Sequence, residues 1–241
     1  MANFLFVHGA FQGGWVWGKV AELLRTQGHD VHTPTLSGCG YLAQDNDEEI
    51  NLEIFISDIL NYIEFEDLSE IILVAHSFSG MICGALMMHI RERISHAVFI
   101  DAIIPEGGRS FVDIAGEPFL LMLEKHRRTN GSVRPWPLPV FGVNGPAAGW
   151  FEPRLRPFSY HAFHTPFPGS FDPHLVKTSY LSCRETSSLF IREMANKAAR
   201  NNWPLMTINS GHYPMVTCPF ELCQAIIMQT ASGQDFRSFF Q

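Results

Sequence analysis

Three kinds of residue that together could carry out acyl transfer stand at distinct points of this 241-residue chain. The first is Ser77, in the run Ile71-Ile72-Leu73-Val74-Ala75-His76-Ser77-Phe78-Ser79-Gly80. An unbroken aliphatic segment reads as a strand covered on both faces, and Met81, Ile82, Ala85, Leu86 and Met88 start a helix after it. A strand that runs straight into a helix forces a sharp turn. Its central side chain projects over the sheet edge, and the residues two positions away must be small. Ala75 and Ser79 stand where the usual G-x-S-x-G pattern has glycine. The strand before and the helix after favour a nucleophile turn over a plain serine N-cap.

A hydroxyl needs a base. Asn209-Ser210-Gly211-His212-Tyr213-Pro214-Met215 follows the apolar run Leu205–Ile208. His212 therefore lies downstream of the serine, on a loop after the last strand, where a general base belongs in a Ser…acid…His order. The imidazole needs a buried carboxylate to hold its tautomer and stabilise its charged form. Asp101 directly closes the strand Ala97–Ile100, the next strand after the serine, whereas Glu185 lies in Ser182-Cys183-Arg184-Glu185, beside an arginine that could pair with it. Asp101 is preferred and Glu185 stays in contention. A developing oxyanion needs two fixed N–H groups, normally one after the nucleophile and one from the loop after the first strand. These are Phe78 and Ala10, the latter in His8-Gly9-Ala10-Phe11-Gln12-Gly13-Gly14.

The elements that must position these groups follow from the hydrophobic rhythm. Short β-like runs at Phe4–Val7, Val31–Thr33, Ile71–Ala75, Ala97–Ile100, Thr178–Leu181 and Leu205–Ile208 alternate with helical patterns at Trp15–Arg25, Leu52–Glu64, Gly80–Ile90, Leu189–Ala199 and Phe220–Thr230. Repeated βα units predict an α/β fold with a mostly parallel central sheet flanked by helices. The rhythm breaks between Ile103 and Pro173, where eleven of the fifteen prolines fall among many aromatics, including Phe111, Phe119, Trp136, Phe141 and Phe163. So many exposed rings would invite aggregation unless they covered something, so residues 103–173 read as a cap inserted after the strand ending at Asp101. The whole chain, 1–241, is expected to be one domain.

Composition narrows the partners. With 46% hydrophobic residues, a formal charge of −7 and no basic run, neither nucleic acid nor an anionic membrane surface is expected to bind. A small, uncharged molecule fits better, and homodimerisation is left open. The N-terminus lacks a positive region and a long apolar run, and Cys39, Cys83, Cys183, Cys218 and Cys223 form no CxxC pair. A soluble cytoplasmic protein with reduced thiols is expected. His161-x-x-His164 lacks a third ligand at sensible spacing, so no metal and no cofactor are expected.

The stretch Phe6-Val7-His8-Gly9-Ala10-Phe11-Gln12-Gly13-Gly14-Trp15-Val16-Trp17, with Gly28-His29-Asp30-Val31, resembles the opening of the plant methylesterase and hydroxynitrile lyase group. Pro34-Thr35-Leu36-Ser37-Gly38, Phe99-Ile100-Asp101-Ala102 and Gly211-His212-Tyr213-Pro214-Met215-Val216-Thr217 resemble its bacterial α/β-hydrolase relatives. The resemblance implies an α/β-hydrolase fold, with Ser77 as nucleophile, His212 as base and Ala10 and Phe78 as oxyanion donors. It is less direct for the acid. Plant methylesterases place an aspartate where this chain has Thr186, while some bacterial relatives carry theirs after the preceding strand, like Asp101. The expected reaction is hydrolysis of a small, apolar or aromatic carboxylic ester through an acyl-enzyme. Rival readings are a lyase, a cofactor-free dioxygenase and a non-catalytic ligand receptor. The lyases of the group carry Thr and Lys where this chain has Gly9 and Tyr213.

Overall fold

The computed structural model describes residues 1–43 and 50–230. Six strands form one parallel sheet: β1 (Asn3–Val7), β2 (Asp30–His32), β3 (Ile71–His76), β4 (Ile94–Ile100), β7 (Thr178–Cys183) and β8 (Leu205–Ile208), in the order β2-β1-β3-β4-β7-β8. β5 (Ser132–Val133) and β6 (Phe158–Ser159) form a separate antiparallel pair. Every residue of β3 is buried, as an aliphatic strand with helices on both sides requires. The helices that make the crossovers are α1 (Gly18–Thr26), α2 (Leu52–Phe65), α3 (Ser79–His89) and α9 (Leu189–Arg200), with α10 (Pro214–Thr217) and α11 (Pro219–Thr230) last in the described chain. α1 packs on α11, and α2 packs on α3.

The chain passes from β1 outward to β2 and then returns to β3 on the other side of β1. That reversal makes the loops after β1 and β3 diverge and opens a crevice at the carboxyl ends of the strands. Ala10 and Ser77 both lie there, one just past each strand. The register Ile100↔Leu181 between β4 and β7 brings the next residue, Asp101, beside the end of β7.

Many boundaries shift by one or two residues from the sequence reading, and two shift by three. β4 begins at Ile94, three residues before the apolar run, because His96 is buried and its Nε2 meets Ser179 Oγ on β7 at 3.0 Å. A polar residue satisfied inside the sheet is invisible to hydrophobic patterning. The pattern Trp15–Arg25 resolves into a 3₁₀ turn, Gly14–Trp17, followed by α1.

Between β4 and β7 the chain leaves the sheet. The excursion holds α4 (Phe111–Ala115), α5 (Glu117–His126), α6 (Leu138–Phe141), α7 (Pro146–Phe151) and α8 (Tyr160–His164) as well as β5 and β6. Its interior is aromatic: Phe111 meets Phe119 at 4.9 Å, Phe163 meets Phe158 at 5.1 Å, and Trp136 meets Phe11 of the sheet domain at 4.4 Å. Rings that cover one another and the sheet edge explain how so many aromatics remain out of water. The excursion's first turn crosses tightly over α3, since a Cβ at Gly80 would lie 1.9 Å from Ile103 O.

Candidate active site

The turn after β3 holds a strained backbone. Ser77 has φ +55°, a left-handed conformation that side chains other than glycine adopt at a cost of about 1 kcal/mol or more. It lifts the serine out of the strand while Phe78, at φ −54° and ψ −36°, already opens α3. Ser79, standing where the common motif has glycine, is fully buried. Its Oγ accepts from His76 N–H at 2.8 Å and directs its one proton toward Val7 O at 2.8 Å or His76 O at 2.9 Å. The hydroxyl thus stitches the turn to β1. Closeness from the other side fixes Gly9, where a Cβ would lie 3.0 Å from Ser77 Cβ and 3.1 Å from His76 Nδ1. A threonine there, as in the lyases, would require the turn to shift.

His212 lies on the loop after β8 and reaches both of its expected neighbours. Its Nε2 is 3.0 Å from Ser77 Oγ and its Nδ1 is 3.2 Å from Asp101 Oδ2. A carboxylate can only accept, so Nδ1 carries the proton and Nε2 presents a lone pair to the serine hydroxyl. Asp101 is 2% exposed and is held at φ +41°. Its Oδ1 accepts from Cys183 N–H at 2.8 Å, and its Oδ2 accepts from the Thr186 hydroxyl as well as from His212. Glu185 is solvent-exposed, and its backbone N–H donates to Ser210 O at 3.0 Å. Of the two carboxylates considered, the structure brings Asp101 to the imidazole and leaves Glu185 outside.

Two residues that the sequence reading gave no part support this arrangement. His76 donates from Nε2 to the backbone carbonyl of His212 at 2.7 Å and lays its ring 4.7 Å from that of His212. Burial, followed by the nearby His212, keeps His76 well below the usual histidine range, so it places no second positive charge beside the imidazole. Thr186 is the other, and neither its type nor its spacing gives a local signal of contact with Asp101.

Ala10 and Phe78 face the same cavity as Ser77 and His212. Among the described residues, neither N–H is used in a backbone hydrogen bond of a turn or loop, and that of Phe78 sits at the N-terminus of α3, where helix N–H groups point at an anion. The β1 loop is braced by His8, whose Nδ1 donates to Gly9 O at 2.8 Å while Nε2 accepts from Leu36 N–H at 3.1 Å. The cavity holds roughly 550 Å³ of empty space, including its mouth. Phe11, Phe111, Phe119, Trp136, Phe163 and Phe190 bring six aromatic rings to its wall, and among the described residues no lysine or arginine lines it.

Burial lowers the His8 pKa from 6.5 to about 4, and the same cause takes His96 to about 4. In the unfolded chain these rings take up protons near pH 6.5, whereas in the folded protein they stay neutral until about pH 4. The unfolded state therefore binds more protons across that window, and stability falls as the pH drops through it. His8 alone accounts for about 2 kcal/mol between pH 7 and pH 5. Urea midpoints at the two pH values will show this loss; equal midpoints would contradict the buried, neutral rings.

A family model described as the alpha/beta hydrolase family matches residues 4–225. The chain belongs to that family. The carbendazim hydrolyzing esterase of Nocardioides sp. (strain SG-4G) is 31% identical over 94% of this chain and 98% of its own length. Polyneuridine aldehyde esterase from Rauvolfia serpentina is 33% identical, but over only 45% of this chain and 41% of the plant protein. Among solved alpha/beta hydrolases, an extracellular enzyme from a Paenibacillus species superposes with a TM-score of 0.76 at 22% identity, over 95% of this chain and 99% of that one. A pyrethroid hydrolase from Sphingobium faniae JZ-2 gives 0.75 at 18%, over 94% and 96%. Among the described residues no helix is long and apolar enough to cross a membrane.

Proposed function

We propose that this alpha/beta hydrolase cleaves small, uncharged carboxylic esters with an apolar or aromatic part. The observation that carries the proposal is the continuous chain from Ser77 Oγ through His212 to Asp101 Oδ2. His212 Nε2 takes the serine proton as Oγ attacks the ester carbonyl, and the Ala10 and Phe78 N–H groups receive the oxyanion. His212 then protonates the leaving alcohol, and Asp101 stabilises the imidazolium in the interval. Water, deprotonated by the same imidazole, releases the acid and restores the serine. The full-length relative named for hydrolysing carbendazim and the partial match to a plant esterase support ester chemistry.

The excursion between β4 and β7 acts in this reading as the lid whose rings select the substrate. Cytoplasmic residence belongs to the same proposal, supported by the free thiols of Cys83, Cys183, Cys218 and Cys223.

A fluorophosphonate probe followed by peptide mass spectrometry should label Ser77, and failure to label it would overturn the assignment. A matched pair of esters tests the pocket. With no cation in the wall to pair an anionic group, a neutral aromatic methyl ester should exceed its carboxylate-bearing analogue by about 100-fold in kcat/KM, since burying an unpaired charge costs several kcal/mol. Comparable rates would show that the rings do not enclose the substrate.

A further inference from the structure

Asp101 Oδ2 serves two donors at once. One is the imidazole N–H, 3.2 Å away, and the other is the hydroxyl of Thr186, which is itself buried at the end of β7 and lines the cavity. The second carboxylate oxygen is committed to Cys183 N–H at 2.8 Å. Of these three donors only the imidazole changes its charge during the reaction proposed above, on which this inference rests.

We infer that Thr186 is a positioning residue that fixes Asp101 Oδ2 against His212 Nδ1 and sets how strongly the carboxylate holds the charged imidazole. Two donors on one oxygen divide its negative charge, and a hydrogen bond to a carboxylate is among the stronger ones a side chain makes. Without the hydroxyl, Oδ2 turns its full charge to Nδ1–H and favours the imidazolium, so the His212 pKa rises. The carboxylate also loses one of its fixed points, so the imidazole is held less firmly toward Ser77.

Among the described residues, burial moves the titratable neighbours of the imidazole away from its window. His76, packed on it from β3, is held neutral by burial. Tyr180 and Cys183 on β7, Tyr213 on the same loop and Cys218 beyond it are all pushed up, first by burial.

The test is the pH dependence of kcat/KM on a neutral aromatic ester for Thr186→Val and Thr186→Ser. Valine keeps the shape and removes the donor. It should lower the maximum about 10-fold and move the acid limb, which reports the free-enzyme base, upward by roughly 0.5–1 pH unit. Serine should restore both. A slower valine variant with an unmoved limb would reduce Thr186 to packing and overturn the inference, as would a limb that moves down. NMR titration of the His212 ring in wild type and Thr186→Val reads the same pKa without turnover. A raised ring pKa without ester hydrolysis in either protein would sink the esterase reading alone, and an unchanged ring pKa would sink this inference alone. Should valine prevent folding, Thr186→Ala removes the donor without crowding and is read in the same way.

Discussion

Replacing Asp101 with asparagine should lower ester hydrolysis about 10⁴-fold, while Glu185→Gln leaves it unchanged. Three donors converge on the Asp101 carboxylate: Cys183 N–H, the Thr186 hydroxyl and His212 Nδ1–H. An asparagine offers one acceptor oxygen and one NH₂ group, so at least one of these donors would face another donor. If the NH₂ turns to the imidazole, the tautomer reverses and Nε2 no longer has a lone pair for Ser77. Glu185 has no part in this and stands in solvent. Steady-state rates of the two variants on one ester check the assignment; equal losses, or the larger loss in Glu185→Gln, would refute it. Thr186 also reaches the oxygen that faces the imidazole, and plant methylesterases carry their aspartate at that position. Thr186→Asp added to Asp101→Asn should therefore recover part of the lost rate, by about 10-fold or more.

Ser77→Ala should remove turnover by about 10⁶-fold and abolish fluorophosphonate labelling altogether. The partner variant Ser77→Gly is more informative, because it separates chemistry from stability. At φ +55° the serine backbone is strained, and glycine adopts that conformation freely. The glycine variant should be as inactive as the alanine one and also more stable than wild type, by about 1 kcal/mol in urea unfolding. An inactive Ser77→Gly protein with unchanged or lower stability would show that the turn carries no such strain. Residual turnover near the wild-type rate in either variant would move the nucleophile elsewhere.

The parts of this molecule that local patterning encodes were readable from the sequence, and those set by neighbours distant in the chain were not. β3 announces itself because Ile71–Ala75 is an unbroken aliphatic run within a fully buried strand, and Ser77 follows from the strand before it and the helix after it. β4 is cut short in the reading because His96 is polar yet satisfied by Ser179, eighty-three positions away. The choice between Asp101 and Glu185 turns on the register Ile100↔Leu181 between β4 and β7, which no local residue pattern specifies. Thr186 departs from the plant pattern in the sequence, but its hydrogen bond to Asp101 depends on that same register. The excursion was the least legible part. Its short helices and two-residue strands have too little periodicity to read, and its order comes from ring packing across the segment.

All the hydrogen bonds that hold Ser77, His212 and Asp101 to one another, and those from His76, Cys183 and Thr186 that brace them, arise at the rim of the parallel sheet. Among the described residues none of these comes from a side chain of residues 103–177, although the backbone N–H of Ile103 donates to Ser77 O at 3.0 Å. The excursion contributes rings to the wall and leaves those side-chain hydrogen bonds to the sheet. Side chains of the wall can therefore change without removing any of these side-chain hydrogen bonds. A lineage built on this plan could change its diet of substrates repeatedly, one aromatic at a time, and keep a working enzyme at every step.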